Sequence, residues 1–232
     1  MEQTLKVTNV LSDPTRYSIY QYMITQHKEV NVTDIARSFK IHPNVARLHL
    51  TKLEDINLIE SYALKTGKGG RPSRMYRLSN EVIELNFPHR DYKLLSTIAM
   101  ESFVELGEAG RNALYKTGKK YGSGVVERSH GLNRSLDMST EQKLNLIEDA
   151  GMMLGMYPTF NYSPESNSVS FIIRNCPFKE VAVNNHKMVC ELHNSFIKGM
   201  FEALFTGVVL EETENMFNGC ENCSYMAKFS IV

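Results

Sequence analysis

Asn31-Val32-Thr33-Asp34-Ile35-Ala36-Arg37-Ser38-Phe39-Lys40-Ile41-His42-Pro43-Asn44-Val45-Ala46-Arg47-Leu48-His49-Leu50-Thr51-Lys52-Leu53 reads as a short helix, a tight turn and a longer helix. Asn31 or Thr33 can cap the short helix, which runs through Asp34–Phe39. Lys40-Ile41 makes the turn, and the longer helix runs from Pro43 to about Asp55. At about 100° per residue, Ala46, Leu50 and Leu53 make an inward face. Asn44, Arg47, Leu48 and Thr51 make the opposite one. Guanidinium, amide and hydroxyl groups with one exposed leucine suit the edges of base pairs in a major groove: Arg pairs with guanine, Asn with adenine, and an apolar side chain meets a thymine methyl. Taken alone, the same face also suits a solvated helix in any small bundle.

Working outward, Leu11-Ser12-Asp13-Pro14-Thr15-Arg16 opens an earlier helix, with Ser12 or Asp13 as cap and Pro14 in the first turn. Its buried stripe is Ile19, Tyr20, Met23 and Ile24. Downstream, Leu58–Ala63 and Met75–Leu78 read as two strands around the Gly-rich loop Thr66–Ser73. Lys65, Lys68, Arg71 and Arg74 stand at and beside its tip, so the hairpin predicts a wing lying along the phosphate backbone. A nucleotide loop is the weaker alternative, since no Ser or Thr follows the Lys as a P-loop demands.

The motifs Leu11–Arg16, Ala46–Leu50 and Gly70–Leu78 resemble the ArsR/DeoR-like winged-helix repressors over about residues 8–80. The resemblance implies a double-stranded DNA operator as partner. Relatives often carry a basic residue where this chain has Leu48. The arsenic- and zinc-sensing branch places cysteines on or beside the DNA-binding helices; this chain has none there, so that sensing mode is not expected.

Charge agrees with a split of roles. Residues 1–80 hold twelve Lys or Arg against seven Asp or Glu, and the remainder holds fourteen against nineteen, within a chain of net charge zero. A basic module carried on an acidic body fits a polyanion partner, although a fluctuation of this size is not extreme. The 232 residues are 42% hydrophobic and 22% charged, ordinary globular values that exclude a disordered or rod-like chain. No apolar run reaches the about 20 residues of a bilayer span, and Met1–Lys6 has no secretory pattern, so a cytoplasmic protein is expected.

Asn86-Phe87-Pro88-His89-Arg90 breaks the pattern and predicts a linker. Helices are expected over 92–106 and 108–126, the second weakened by Gly118 and Gly122. Their surplus apolar surface fits either a homodimer interface or packing against the C-terminal part. Ser139-Thr140-Glu141-Gln142 predicts a capping box and a helix to Leu154. Met152, Met153 and Met156 are read as core. A hairpin of Thr159–Tyr162 and Val169–Arg174, helices over 178–183 and 187–205, and a closing strand over 224–231 complete the pattern.

The cysteines are absent until Cys176, then follow as C-x13-C-x29-C-x2-C at Cys176, Cys190, Cys220 and Cys223. Four thiolates at the ends of separate elements can enclose a tetrahedral Zn2+ or an iron–sulfur cluster. His193 and His186 stand near enough to replace one of them. Buried structural cysteines are the plainer alternative. A thioredoxin-like dithiol is disfavoured because a strand, not a helix, follows Cys223. Asn175-Cys176-Pro177-Phe178, Val189-Cys190-Glu191-Leu192-His193 and Gly219-Cys220-Glu221-Asn222-Cys223 resemble the C-terminal half of the iron–sulfur-sensing winged-helix repressors of the Suf type. That resemblance implies Cys176, Cys190 and Cys223 as core ligands, with the fourth position open.

The reading is an α+β chain: a winged helix-turn-helix over 1–85, a helical linker and dimerisation region over 86–130, and a cysteine-bearing sensor domain over 131–232. It is a homodimeric, non-enzymatic transcriptional regulator whose operator binding is set by an iron–sulfur cluster or metal. The alternative is a regulator with a structural zinc that responds to a small ligand; a thiol redox protein comes third.

Overall fold

A computed structural model describes residues 2–26, 28–64, 72–80, 82–83, 85, 88, 90–130 and 138–230. The chain divides into two units, Met1–Arg90 and Asp91–Val232. Residues 91–130, most of the stretch read as a helical linker and dimerisation region, fall in the second unit.

In the first unit, α1 (Glu2–Leu11), α2 (Pro14–Gln26), α3 (Val32–Phe39) and α4 (Pro43–Glu54) join a sheet of β1 (Val30–Asn31), β2 (Ile59–Leu64) and β3 (Ser73–Leu78) in the order β1-β3-β2. Asp13 starts α2 by accepting the Arg16 N–H at 2.9 Å. Asn31, not Thr33, caps α3: its side chain accepts from Thr33 and Asp34, while the Asp34 carboxylate accepts the Asn31 N–H in return. The turn into α4 needs a left-handed residue, supplied by Lys40 at φ 53°. Pro43 occupies the first turn of α4, where its missing N–H costs nothing. Ala46, Leu50 and Leu53 are fully buried against Ile19, Met23, Ile35 and Tyr76, as the helical arithmetic requires. Tyr20 and Ile24 of the expected stripe are only half-buried. The sequence reading omitted α1, whose Val7 and Val10 join this core.

In the second unit, α5 (Tyr92–Glu105), α6 (Glu108–His130), α7 (Thr140–Met153) and α8 (Lys179–Glu202) accompany β4 (Pro158–Ser163), β5 (Ser168–Ile173), β6 (Thr206–Glu214) and β7 (Cys223–Ser230). The sheet order is β4-β5-β7-β6, every neighbour antiparallel. Ser139 and Gln142 form the expected capping box on α7. Stacked rings fill the core, with Phe171 5.1 Å from Tyr225 and Phe205 4.1 Å from Phe229 between centroids. The two helices expected over 178–183 and 187–205 are present as the two arms of α8, which meet at a kink at Asn185, whose φ/ψ is not helical. Of the methionine trio only Met156 is core; Met152 and Met153 are exposed, because Ala150 and Gly151 take the inward face of the last turn of α7. Among the described residues, no helix is long and apolar enough to cross a membrane.

Gly118 and Gly122 do not merely weaken α6. A Cβ on Gly122 would lie 1.9 Å from the Phe196 carbonyl oxygen, and one on Gly118 would lie 2.9 Å from the Leu192 carbonyl. Gly199 of α8 answers, since a Cβ there would lie 2.2 Å from the Lys119 carbonyl. The glycines let two helix backbones touch, a contact closed by the Ser123 hydroxyl donating to the Gly199 carbonyl at 3.0 Å. This fixes the half of α8 that carries Cys190 and His193.

Candidate nucleic-acid interface and thiol cluster

The outward face of α4 is presented as the spacing requires. Asn44, Arg47 and Leu48 are exposed and Thr51 is half-buried. Arg47 donates to the Asn44 side-chain oxygen at 3.1 Å, so the two polar groups of the face lie side by side. Arg74, expected at the wing, also has partners inside its own unit. Its guanidinium forks onto both Glu54 oxygens, at 2.9 and 2.7 Å, and donates to Ser61 at 2.8 Å. It therefore ties the base of the wing to the end of α4, with its charge already paired. Lys65, Lys68 and Arg71 lie outside the described residues.

In the second unit, the strand order places the loop after β5 beside the start of β7: Ile173 pairs with Cys223, three residues before Cys176. Cys176 and Cys223 are buried, Cys190 and Cys220 half-buried, and all four are free thiols. Burial pushes the Cys176 thiol up to about 12; the Phe178 N–H opposes the rise, and the charges of Cys223 and Cys190 add to it. Burial also raises Cys223, with Glu212 and Cys190 adding to the rise against the Met216 N–H. Cys190 is raised by burial and by Glu212 and Glu191, against the Asn215 amide that donates to its sulfur at 3.6 Å. Three thiols thus sit within one another's electrostatic reach. Cys220 meets Cys190 across a cleft of about 520 Å³ that His186, Glu212 and Asn215 also line.

Glu212, Asn215 and Asn194 were missed in the sequence. Glu212 accepts from Asn194 at 2.6 Å and from Asn215, and the Tyr225 hydroxyl donates to Asn194 at 3.1 Å. A β-bulge after Glu212 shifts the register between β6 and β7 beside this carboxylate. The available signal was the alternation Val208, Leu210, Glu212 along one strand face, which ends in a carboxylate where an apolar residue is due.

The donors here, three sulfurs and a carboxylate, are of the kind that zinc and iron accept. As the side chains stand, no three His, Cys, Asp or Glu groups among the described residues converge closely enough to hold a metal ion. His193 is not directed at the cleft: its Nδ1 lies 3.7 Å from the Cys176 sulfur, and its Nε2 is buried without a partner. Burial holds its pKa at about 4, below the ordinary 6.5. The unfolded chain therefore takes a proton at His193 below pH 6.5 that the folded chain refuses until about pH 4. Stability is intact above 6.5 and falls as pH drops toward 4, by about 3 kcal/mol in metal-free protein. Denaturant unfolding at pH 7 and pH 4.5 measures it, and His193→Gln should flatten the slope.

Residues 11–62 match the family model of a helix-turn-helix domain. The chain carries a helix-turn-helix domain. That match, covering α2 to β2, supports a DNA-binding transcriptional regulator. No curated protein matches the chain. Among solved structures, the phenol-responsive sensory domain of the transcription activator PoxR with phenol aligns at a TM-score of 0.46 and 16% identity, over 79% of this chain and 89% of that one. A trafficking protein particle complex subunit 3 from Naegleria fowleri, covalently bound to palmitic acid, aligns at 0.38 and 16%, over 60% and 97%. Both are too distant to carry an argument.

Proposed function

We propose that the chain is a homodimeric transcriptional regulator of the ArsR/DeoR winged-helix type, whose operator binding is set by a metal ion or iron–sulfur cluster on the thiol cluster. The observation that carries the DNA-binding half is the α4 face, where Arg47 and Asn44 stand exposed and mutually bonded above a fully buried Ala46-Leu50-Leu53 stripe. A helix anchored on one side and polar on the other meets base edges without disturbing its own packing. For the sensing half, Cys176, Cys190 and Cys223 would hold the group, with Glu212 or Cys220 as further donors. The group would supply a link between the loop after β5, α8 and β7 that metal supply or oxidation makes or breaks. Loss of that link would change the spacing of two recognition helices, which must match half-sites about one turn of DNA apart.

A second reading keeps the DNA-binding half, makes the metal a structural zinc and takes a small molecule as signal. A cavity of about 370 Å³ lined by Arg111, Tyr115, Leu192, Asn194, Lys198 and Leu210 favours it. Asn194 also bonds Glu212, so an occupant would touch the thiol cluster's surroundings.

The test is selection of an operator from random duplex DNA, followed by affinity measurement with the Arg47→Ala variant. We expect a cost of about 1–3 kcal/mol and a relaxed preference at one base position. Unchanged affinity would remove Arg47 from the reading face.

A further inference from the structure

The outward face of α4 does not end at Thr51. Glu54, the last residue of the helix, stands seven residues after Arg47, which places it two turns on and within about 20° of the same face. A carboxylate there, about 10 Å along the axis from Arg47, repels a duplex docked on this face. Its partners show what it does instead. Both Glu54 oxygens accept from the Arg74 guanidinium, at 2.9 and 2.7 Å, and the Ser61 hydroxyl donates to Glu54 at 2.6 Å. The Arg74 Nε closes the ring by donating to Ser61 at 2.8 Å. The two-residue period of a strand explains the encounter: Arg74 shares a face of β3 with the buried Tyr76, and Ser61 of β2 pairs with Tyr76. A single exposed ion pair contributes little, but this one is bidentate and joined by a hydroxyl. The Glu54 side chain is only 26% exposed, and the guanidinium lies over the Tyr76 ring at 5.4 Å.

We propose that Glu54, Arg74 and Ser61 form a clamp that fixes the angle between α4 and the wing, making Glu54 a positioning residue for operator recognition although its charge opposes DNA. This rests on the DNA-binding reading and adds to it a source of specificity that touches no base. The end of α4 and the strands of the wing must be held together if α4 is to meet base edges while the hairpin meets the backbone. Contacts to base edges tolerate little misplacement, whereas phosphate contacts form in many registers. A loosened wing therefore costs operator preference and leaves general attraction to DNA in place. Arg74, with its donors directed at Glu54 and Ser61, acts through α4 and not on a phosphate.

The test titrates the full chain with an operator selected from random DNA and with a scrambled duplex, over a range of salt. Wild type, Glu54→Gln, Arg74→Lys and Arg74→Gln are compared. Charge alone has Glu54→Gln bind both duplexes more tightly. The clamp has its operator affinity fall about tenfold while the scrambled duplex is held as well or better. Arg74→Lys keeps the charge but replaces the planar fork with a single ammonium, which a phosphate contact survives and the clamp does not. It should lose operator preference about as far as Arg74→Gln does. The salt slope on the scrambled duplex should stay at the wild-type value in Arg74→Gln, where a lost phosphate contact would lower it by about 0.9. The readout is the ratio of the two affinities, so a partly unfolded fraction, which weakens both alike, does not imitate the clamp. Should Glu54→Gln not fold by far-UV circular dichroism, Arg74→Lys decides. Operator affinity kept or raised in Glu54→Gln overturns the clamp, as does a wild-type ratio in Arg74→Lys. A wild type that prefers no duplex over another removes the DNA-binding reading and the clamp with it; a selective wild type with variants that follow charge removes the clamp alone.

Discussion

Gly122→Ala will cost the second unit about 3–5 kcal/mol, one of the largest single-methyl effects in the chain. The added carbon would sit 1.9 Å from the Phe196 carbonyl oxygen, with the Phe196 carbonyl carbon at 2.8 Å and the Met200 nitrogen at 3.1 Å. All three are backbone atoms of α8, so no rotamer change relieves the clash and the helices must part. Parting them opens gaps around Phe201 and Met200, which are almost fully buried in the core. Gly124→Ala, two residues along α6, is the control. Its Cβ would meet only the end of the flexible Arg128 side chain at 3.3 Å. There the higher helix propensity of alanine should stabilise by about 0.5–1 kcal/mol. Urea unfolding of the second unit reads both. If the two variants fall within 1 kcal/mol of each other, the close crossing of α6 and α8 is not what holds the unit together.

The same crossing shows where the sequence was legible and where it was not. Residues 31–53 could be read because local rules agree there: a capping box, a left-handed turn residue, a proline in the first turn and a 3.6-residue stripe all point to one arrangement. The glycines of α6 obey no local rule. In isolation they weaken a helix, and only the partner α8 gives them a purpose. Arg74 likewise reads as a wing charge until Glu54 and Ser61, contributed by other elements, take up its donors. The thiol cluster was half legible. Four cysteines in one window announce a site, but Glu212 and Asn215 lie on or after β6, a strand hidden behind the run Glu211-Glu212-Thr213-Glu214. The apolar alternation of Val208 and Leu210 is two residues long, and the rest of the strand continues it with charged residues. α1 has no clear signal in the sequence because Val7 and Val10, its buried residues among those described, make too short a stripe to stand out.

Cys176→Ser, Cys190→Ser and Cys223→Ser should each reduce bound zinc or iron in anaerobically purified protein to background, a loss of at least about a thousandfold in affinity. Serine nearly keeps the volume, so the loss reports a missing sulfur and not a cavity. Cys220→Ser should have the smallest effect of the four, because Cys220 lines the cleft from the turn before β7 while the other three thiols share one field. Glu212→Gln should weaken binding by about 10–100-fold, since the carboxylate stands beside Cys190 and Cys223 as donor or as partner to one. Acidity gives an independent readout with a definite sign. The three thiols have raised pKa values, that of Cys176 reaching about 12, so they are protonated at neutral pH and must each release a proton to bind metal. Affinity should therefore climb with pH, by about tenfold per pH unit for each proton released, and fall away as the solution is acidified. Competition with a chelator at pH 6, 7 and 8 measures the slope, and metal and sulfide analysis of the same samples separates a cluster from zinc. Zinc without sulfide makes the site structural and moves the signal to the cavity beside Asn194. Full metal content in all three variants, or an affinity flat with pH, would leave the thiols as packing and the regulator without a metal.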